Sequence, residues 1–336
     1  MTALIALLVG SLVGAEPAPP AEADLAAAAD YSQAYRGQTC LVLFDGRTVL
    51  ERYSGGGAAE RRQMLASGSK SFVGIAAVAA VEDGLIDLDE PVAKVLTEWA
   101  ADPERARITH RQLLTLTSGL TASERGSPTR APAWAEIAAR PIVARPGASF
   151  AYGAYPLNTF AYALQRRLGD ETFEAYLKRR IFDPLGVTVE WKFRCADGHP
   201  QVGGGAFMTA RDWARFGEFV RLDGQVDGRA ILPPGRVAGC FTGTEANPAY
   251  GLTWWLKKPV GDALRRQSLI VSEEWAEAAN CPWLPDDLVA ACGAGKQRLY
   301  VIPSRKLVVV RQGGLGRGFS DVEFLSKLLG HGPGTP

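Results

Sequence analysis

Two hairpin patterns at opposite ends of the chain constrain its fold more than any other feature. Thr39–Phe44 and Thr48–Tyr53 are β-rich runs on either side of Asp45-Gly46-Arg47, and an Asp-Gly pair readily supplies the positive φ angles of a tight turn. Gln297–Ile302 and Leu307–Gln312 repeat the pattern around Pro303-Ser304-Arg305-Lys306. A helix adjoins each hairpin. Asp24 is placed to cap an Ala-rich helix that runs to Arg36 and stops at Gly37, and Ser320 to cap another through Leu329. Strands and helices of the same kind at both ends point to an α+β fold. In it, one antiparallel sheet is built from both termini and flanked by helices.

The intervening sequence reads as a mostly helical lobe. Phe72, Val73, Ile75, Ala76, Ala79 and Ala80 mark a buried helix over Gly68–Asp83, stopped by Gly84. Thr109 and Gln112 form a capping box for a helix through Leu116. Thr209 and Asp212 open another that carries Trp213, Phe216, Phe219 and Val220, while 141–149 and 223–235 read as loops. The division expected is a leader and first helix over 16–36 and a single domain over 37–330. Within that domain the α/β lobe takes about 37–85 and 288–330, and the helical lobe about 86–287.

Charge excludes one class of partner. Among 336 residues, 37 Lys+Arg face 36 Asp+Glu, so no basic excess exists to neutralise phosphates, and nucleic-acid binding is not expected. The run Leu4–Val13 is apolar but short of the ~20 residues a membrane span needs. Val13 and Ala15 offer the small side chains of a signal-peptidase site, and Glu16-Pro17-Ala18-Pro19-Pro20 follows as a stiff leader. Residues 1–15 therefore read as a cleaved signal, without a Lys or Arg before the run, and the protein as periplasmic or secreted with no stable membrane span. Cys40, Cys195, Cys240, Cys281 and Cys292 include no Cys-x-x-Cys pair and the three histidines are far apart, so buried structural thiols are expected and no metal site.

No Gly-x-Ser-x-Gly elbow, His-Glu-x-x-His, phosphate loop or dinucleotide fingerprint occurs. His110 lies in the capping-box turn and His331 in a Gly-rich tail, so a hydrolytic base would be something other than histidine. Ser67-Gly68-Ser69-Lys70 supplies one. Ser67 stands where a loop meets the buried helix, and three residues later Lys70 shares its face, close enough to accept the hydroxyl proton. Desolvation in a cleft would favour the neutral amine this requires. Taken alone, the tetrapeptide reads better as a capping serine followed by a surface lysine.

The surrounding motifs change that balance. Ser67-Gly-Ser-Lys70-Ser-Phe, followed by Glu82-Asp-Gly-Leu-Ile-Asp-Leu-Asp-Glu-Pro91, resembles the serine β-lactamase and penicillin-binding-protein-like superfamily, particularly its class C and esterase branch. Ile108 to Leu120, Pro146-Gly-Ala-Ser-Phe-Ala-Tyr152, Gly203 to Gly217, Tyr250-Gly-Leu-Thr-Trp-Trp255 and Leu299 to Val310 continue the resemblance in order, over roughly residues 37–329. The resemblance implies Ser67 as nucleophile, Lys70 as its general base and Tyr152 as the proton shuttle to the leaving group. It also implies an oxyanion hole formed by the backbone N–H groups of Ser67 and, aligned back from Pro303, Ala294.

Two departures stand out. The family's tyrosine is commonly followed two residues later by Asn, where this chain has Ala154. Asn158 would either replace that amide from the next turn or serve as an ordinary helix-start residue. The family's Lys-Thr-Gly or His-Thr-Gly aligns with Ala291-Cys292-Gly293, so the substrate-facing strand has lost its cation and its hydroxyl. Lys296, Gln297 and Arg298 beyond it are expected to face solvent rather than substrate. The resemblance and its departures together imply an exported serine hydrolase that cleaves a small-molecule ester, amide or peptide through a Ser67 acyl-enzyme without a cofactor, with β-lactams as poor substrates. The competing expectation is a non-catalytic ligand-binding or scaffold protein that retains the fold.

Overall fold

The computed structural model describes residues 16–123 and 131–331, so the apolar run expected to direct export lies outside the described residues. Six strands form the main sheet: β1 (Gly37–Phe44), β2 (Arg47–Tyr53), β3 (Trp255–Leu256), β4 (Val289–Gly293), β5 (Gln297–Ile302) and β6 (Leu307–Gly313). Their order is β2-β1-β6-β5-β4-β3, with antiparallel neighbours throughout. The two hairpins meet at β1 and β6, whose register runs from Gly37 opposite Gly313 to Phe44 opposite Leu307. Strands from both ends of the chain thus close one sheet, as the paired hairpin patterns imply.

Helices cover both faces because side chains alternate along a strand. Val308 of β6 and Leu299 of β5 meet helix α4 (Ala210–Arg221) at Gly217, where a Cβ would lie 2.6 Å from Val308 and 2.7 Å from Leu299. Arg311, on the other face of β6, reaches the carbonyl of Tyr35 just beyond helix α1 (Glu22–Ala34). That face is also covered by α5 (Asp321–Leu328), which packs beside α1. Ser320 caps α5 by accepting from the Glu323 N–H, and Thr209 caps α4 in the same way from Asp212. The first helix differs from expectation. It starts at Glu22 after Ala21, which makes no side-chain cap, and Asp24 lies inside its first turn, where a carboxylate favours the positive end of the helix. It stops at Ala34, and Arg36 rather than Gly37 takes the left-handed turn with φ of 60°.

The helix that matters most is α2 (Lys70–Glu82), entered through a 3₁₀ turn over Ala66–Ser69. Every residue from Lys70 to Ala80 is buried, which explains why its apolar positions surround the axis instead of forming one stripe. The Thr109–Gln112 capping box is present in full, ahead of a short helix that ends at Leu114. A further helix, α3 (Tyr155–Leu168), packs against α2. Among the described residues no helix is long and apolar enough to cross a membrane.

Candidate active site

The site forms where the head of α2 meets the end of β4. Gly293 must be glycine there: a Cβ would lie 2.1 Å from the Leu65 carbonyl and 3.1 Å from the Gly68 nitrogen. This backbone-to-backbone approach puts Ala294, the next residue and an exposed one, in the same cleft wall as Ser67. The turn before Ser67 is strained. Ala66 has φ of 48°, a region that L-residues other than Gly, Asn and Asp seldom enter. Ser69 holds that turn, its hydroxyl donating to the Ala66 carbonyl at 2.7 Å and accepting from the Ala206 N–H at 3.1 Å.

Ser67 and Lys70 meet as their spacing requires. The Lys70 Nζ donates to Ser67 Oγ at 2.9 Å and to the Gly203 carbonyl at 2.6 Å, and sits 4.9 Å from the centre of the Tyr152 ring. Lys70 is buried, and that burial pushes its ammonium down to about 7. The same effect holds the Tyr152 phenol well above its ordinary value, against the pull of its hydrogen bond with Ser67. The two groups are therefore driven apart: near neutrality the lysine can be an amine while the phenol keeps its proton. Aromatic packing fixes the phenol, with Trp255 stacked at 5.5 Å and Tyr250 edge-on at 6.0 Å.

One of the family's missing groups has a structural counterpart. The position of the lost Asn is Ala154, and a Cβ on Gly203 would come within 2.5 Å of the Ala154 methyl and 3.6 Å of Lys70 Nζ. Gly203 thus packs tightly against Ala154, and its carbonyl takes a hydrogen bond from the lysine. Asn158 does not fill the gap. It lies in α3 with its amide donating to Cys195 Sγ at 3.8 Å, and it is absent from the cleft wall. Cys292 is enclosed in β4, where burial raises its thiol well above the ordinary value, so it stays protonated. Neither Cys292 nor Gly293 lines the cleft; Ala294 does.

The cleft measures about 310 Å³ and adds Met64, Ser123, Phe193 and Gln201 to the walls. Of these, Gln201 carries a buried Oε1 without a partner. Nothing in the sequence near these four residues marks them, because they are delivered by three separate segments, Phe193 and Gln201 from one folded-back loop. The expectation that Gln297 and Arg298 face solvent is corrected. Both are buried, Arg298 completely, with its guanidinium on Asp321 at 2.6 and 3.2 Å and on Glu274 at 2.9 Å. Periodicity could not separate a strand buried on both faces from one with a wet face. His110 is also buried, edge-on to Phe160, and burial lowers its pKa to about 4, which leaves it a neutral packing group. Among the described residues no cluster of His, Cys, Asp and Glu is arranged to hold a metal ion.

An antiparallel sheet closed by both termini, with Ser-x-x-Lys at the head of a central helix against the end of β4, defines the β-lactamase and transpeptidase-like fold class. The chain belongs to the beta-lactamase family, whose model matches residues 22–311. It is 31% identical over 176 residues to the acyltransferase calJ of Penicillium decumbens, covering 43% of this chain and 42% of that protein. It is 29% identical over 200 residues to the lovastatin esterase of Penicillium rubens, covering 46% of this chain and 49% of the relative. The match thus spans less than half the length of either curated relative. In structure it is similar to EstCE1, a hydrolase with promiscuous acyltransferase activity, with a TM-score of 0.69 and 18% identity over 92% of this chain and 99% of that one.

Proposed function

We propose that the protein is a serine hydrolase that cleaves esters through a Ser67 acyl-enzyme. The observation that carries this reading is the contact between a buried lysine whose pKa is near 7 and the Ser67 hydroxyl at 2.9 Å. Ser67 Oγ attacks the substrate carbonyl and its proton passes to Lys70 as the carbon–oxygen bond forms. The oxyanion is held by the N–H groups of Ser67 and Ala294. Collapse expels the alcohol, which takes a proton from the Lys70–Tyr152 pair. Water then attacks the acyl-enzyme, gives up a proton to the same pair, and releases the acid with Ser67 restored. Relatives named as an esterase and an acyltransferase support an ester substrate, and the uncharged strand end at Ala291 and Cys292 supports β-lactams as poor ones. The apolar run Leu4–Val13 supports export.

A fluorophosphonate probe tests the reading directly. The protein should gain one adduct on Ser67 and hydrolyse short acyl esters. Ser67→Ala should lose both while keeping its thermal transition within a few degrees. An unlabelled Ser67 and no turnover of esters or amides would instead favour a non-catalytic ligand-binding protein. Fractionation of expressing cells checks export, and retention of the full-length chain in the cytoplasm would remove that part.

A further inference from the structure

The turn that presents Ala294 is held from behind by two buried arginines that the reaction above does not use. Arg298 NH1 donates to the Gly293 carbonyl at 3.3 Å and to the Gln297 carbonyl at 3.1 Å. Arg311 NH1 donates to the carbonyls of Gly295 at 3.3 Å and Lys296 at 2.8 Å, and its NH2 to Tyr35 at 2.6 Å. Both guanidiniums are at most 1% exposed. Arg298 is balanced by Asp321 and Glu274, whereas Arg311 rests on backbone carbonyls and the face of Phe319 at 4.1 Å.

The Gly293 carbonyl and the Ala294 N–H belong to one planar peptide, so fixing one fixes the direction of the other. Carbonyls of the turn point back toward the arginines, and the trans geometry sends the Ala294 N–H the opposite way. A charged donor on the carbonyl also polarises the amide and strengthens its N–H as a donor. Arginine suits this role because it stays charged when buried and its planar fork reaches two carbonyls at once.

We infer that Arg298 is a positioning residue for acyl transfer, which holds the Gly293 carbonyl at the back of the turn and so aims the Ala294 N–H at the developing oxyanion, while Arg311 braces the neighbouring Gly295 and Lys296 carbonyls. The inference rests on the Ser67 reading above. Its test is Arg298→Lys, which keeps the cation beside Asp321 and Glu274 but loses the fork. With a short acyl ester, kcat should fall about 10- to 100-fold, part of the 10²- to 10³-fold effect of removing an oxyanion donor. KM should change less than about twofold. Affinity for an alkyl boronate, which forms a tetrahedral adduct on serine, should fall with kcat. If Arg298→Lys does not fold, Arg298→Met with Asp321→Asn removes both charges together and should show the same losses. A folded variant with kcat and boronate affinity near those of the parent overturns the inference, as does a rise in KM alone. Failure of the Ser67 reading appears separately, as turnover that survives Ser67→Ala in the parent protein.

Discussion

Lys70 carries opposite consequences for activity and stability, and both can be read from one shift. Burial alone lowers its pKa to about 7, and in the proposed reaction the amine must be neutral to take the Ser67 proton. Acylation should therefore rise with pH and level off above about pH 7, which pre-steady-state labelling across pH 5–9 would show. A plateau already complete at pH 5 would mean another base. In the unfolded chain a lysine titrates near 10.4. Between about pH 7 and 10 the unfolded state binds more protons at this position than the folded one, so Lys70's contribution to stability improves as pH rises through that window. Lys70→Met should then reduce acylation by at least about 10²-fold while raising the melting temperature. The thermal gain should be full below pH 7 and shrink toward pH 10. A melting temperature that falls at pH 7 would show the ammonium to be better accommodated than its surroundings suggest.

At the scale of the element, β4 explains why the missing cation cannot simply be returned. Ala291 is 1% exposed and Cys292 is enclosed, so Ala291→Lys would bury an ammonium in the sheet rather than offer it to a substrate carboxylate. The variant Ala291→Lys with Cys292→Thr should lose several kcal/mol of stability and gain no cephalosporin hydrolysis, as chemical denaturation and a chromogenic assay would record. Efficient cephalosporin turnover by this variant would mean that the strand end reshapes itself. Elements differ in how far their residues announce them. Both hairpins, the α2 helix, the Thr109 box and the Ser67–Lys70 pair depend on neighbours in sequence, and local pattern exposes them. Asn158, the Gly203 carbonyl, Gln201 and the Arg298–Asp321 pair depend on which distant segments come together in space. A backbone carbonyl that substitutes for an absent side chain leaves no trace in residue type. Arg298 escapes a sequence reading for a related reason: a charged residue in a strand ordinarily marks the wet face, and the carboxylate that buries it comes from α5, a separate element.

For the whole molecule, the same carboxylate links acid tolerance to the closure of the fold. Burial opposes the charge of Asp321, yet Arg298 beside it keeps the carboxyl below its ordinary range. The stability it contributes is complete above about pH 4 and is lost as pH falls through its lower folded value. Melting temperatures should accordingly drop steeply below pH 4, and Asp321→Asn should lower the neutral-pH value while flattening that acid limb. Equal acid slopes in the two proteins would assign the effect to other carboxylates. The pairing of β1 with β6 carries a different consequence, one of timing. During synthesis the Ser67–Lys70 segment leaves the ribosome early, while its sheet partner β4, the proposed oxyanion donor Ala294 and the Asp321 counter-charge all lie between residues 289 and 328. Until those residues emerge, β1 has no β6 to pair with and the cleft lacks its Ala294 side. Such long-range pairing makes the nascent chain slow to fold, and under the proposed reaction it also leaves Ser67 without the geometry to attack the cell's own esters while translation is under way.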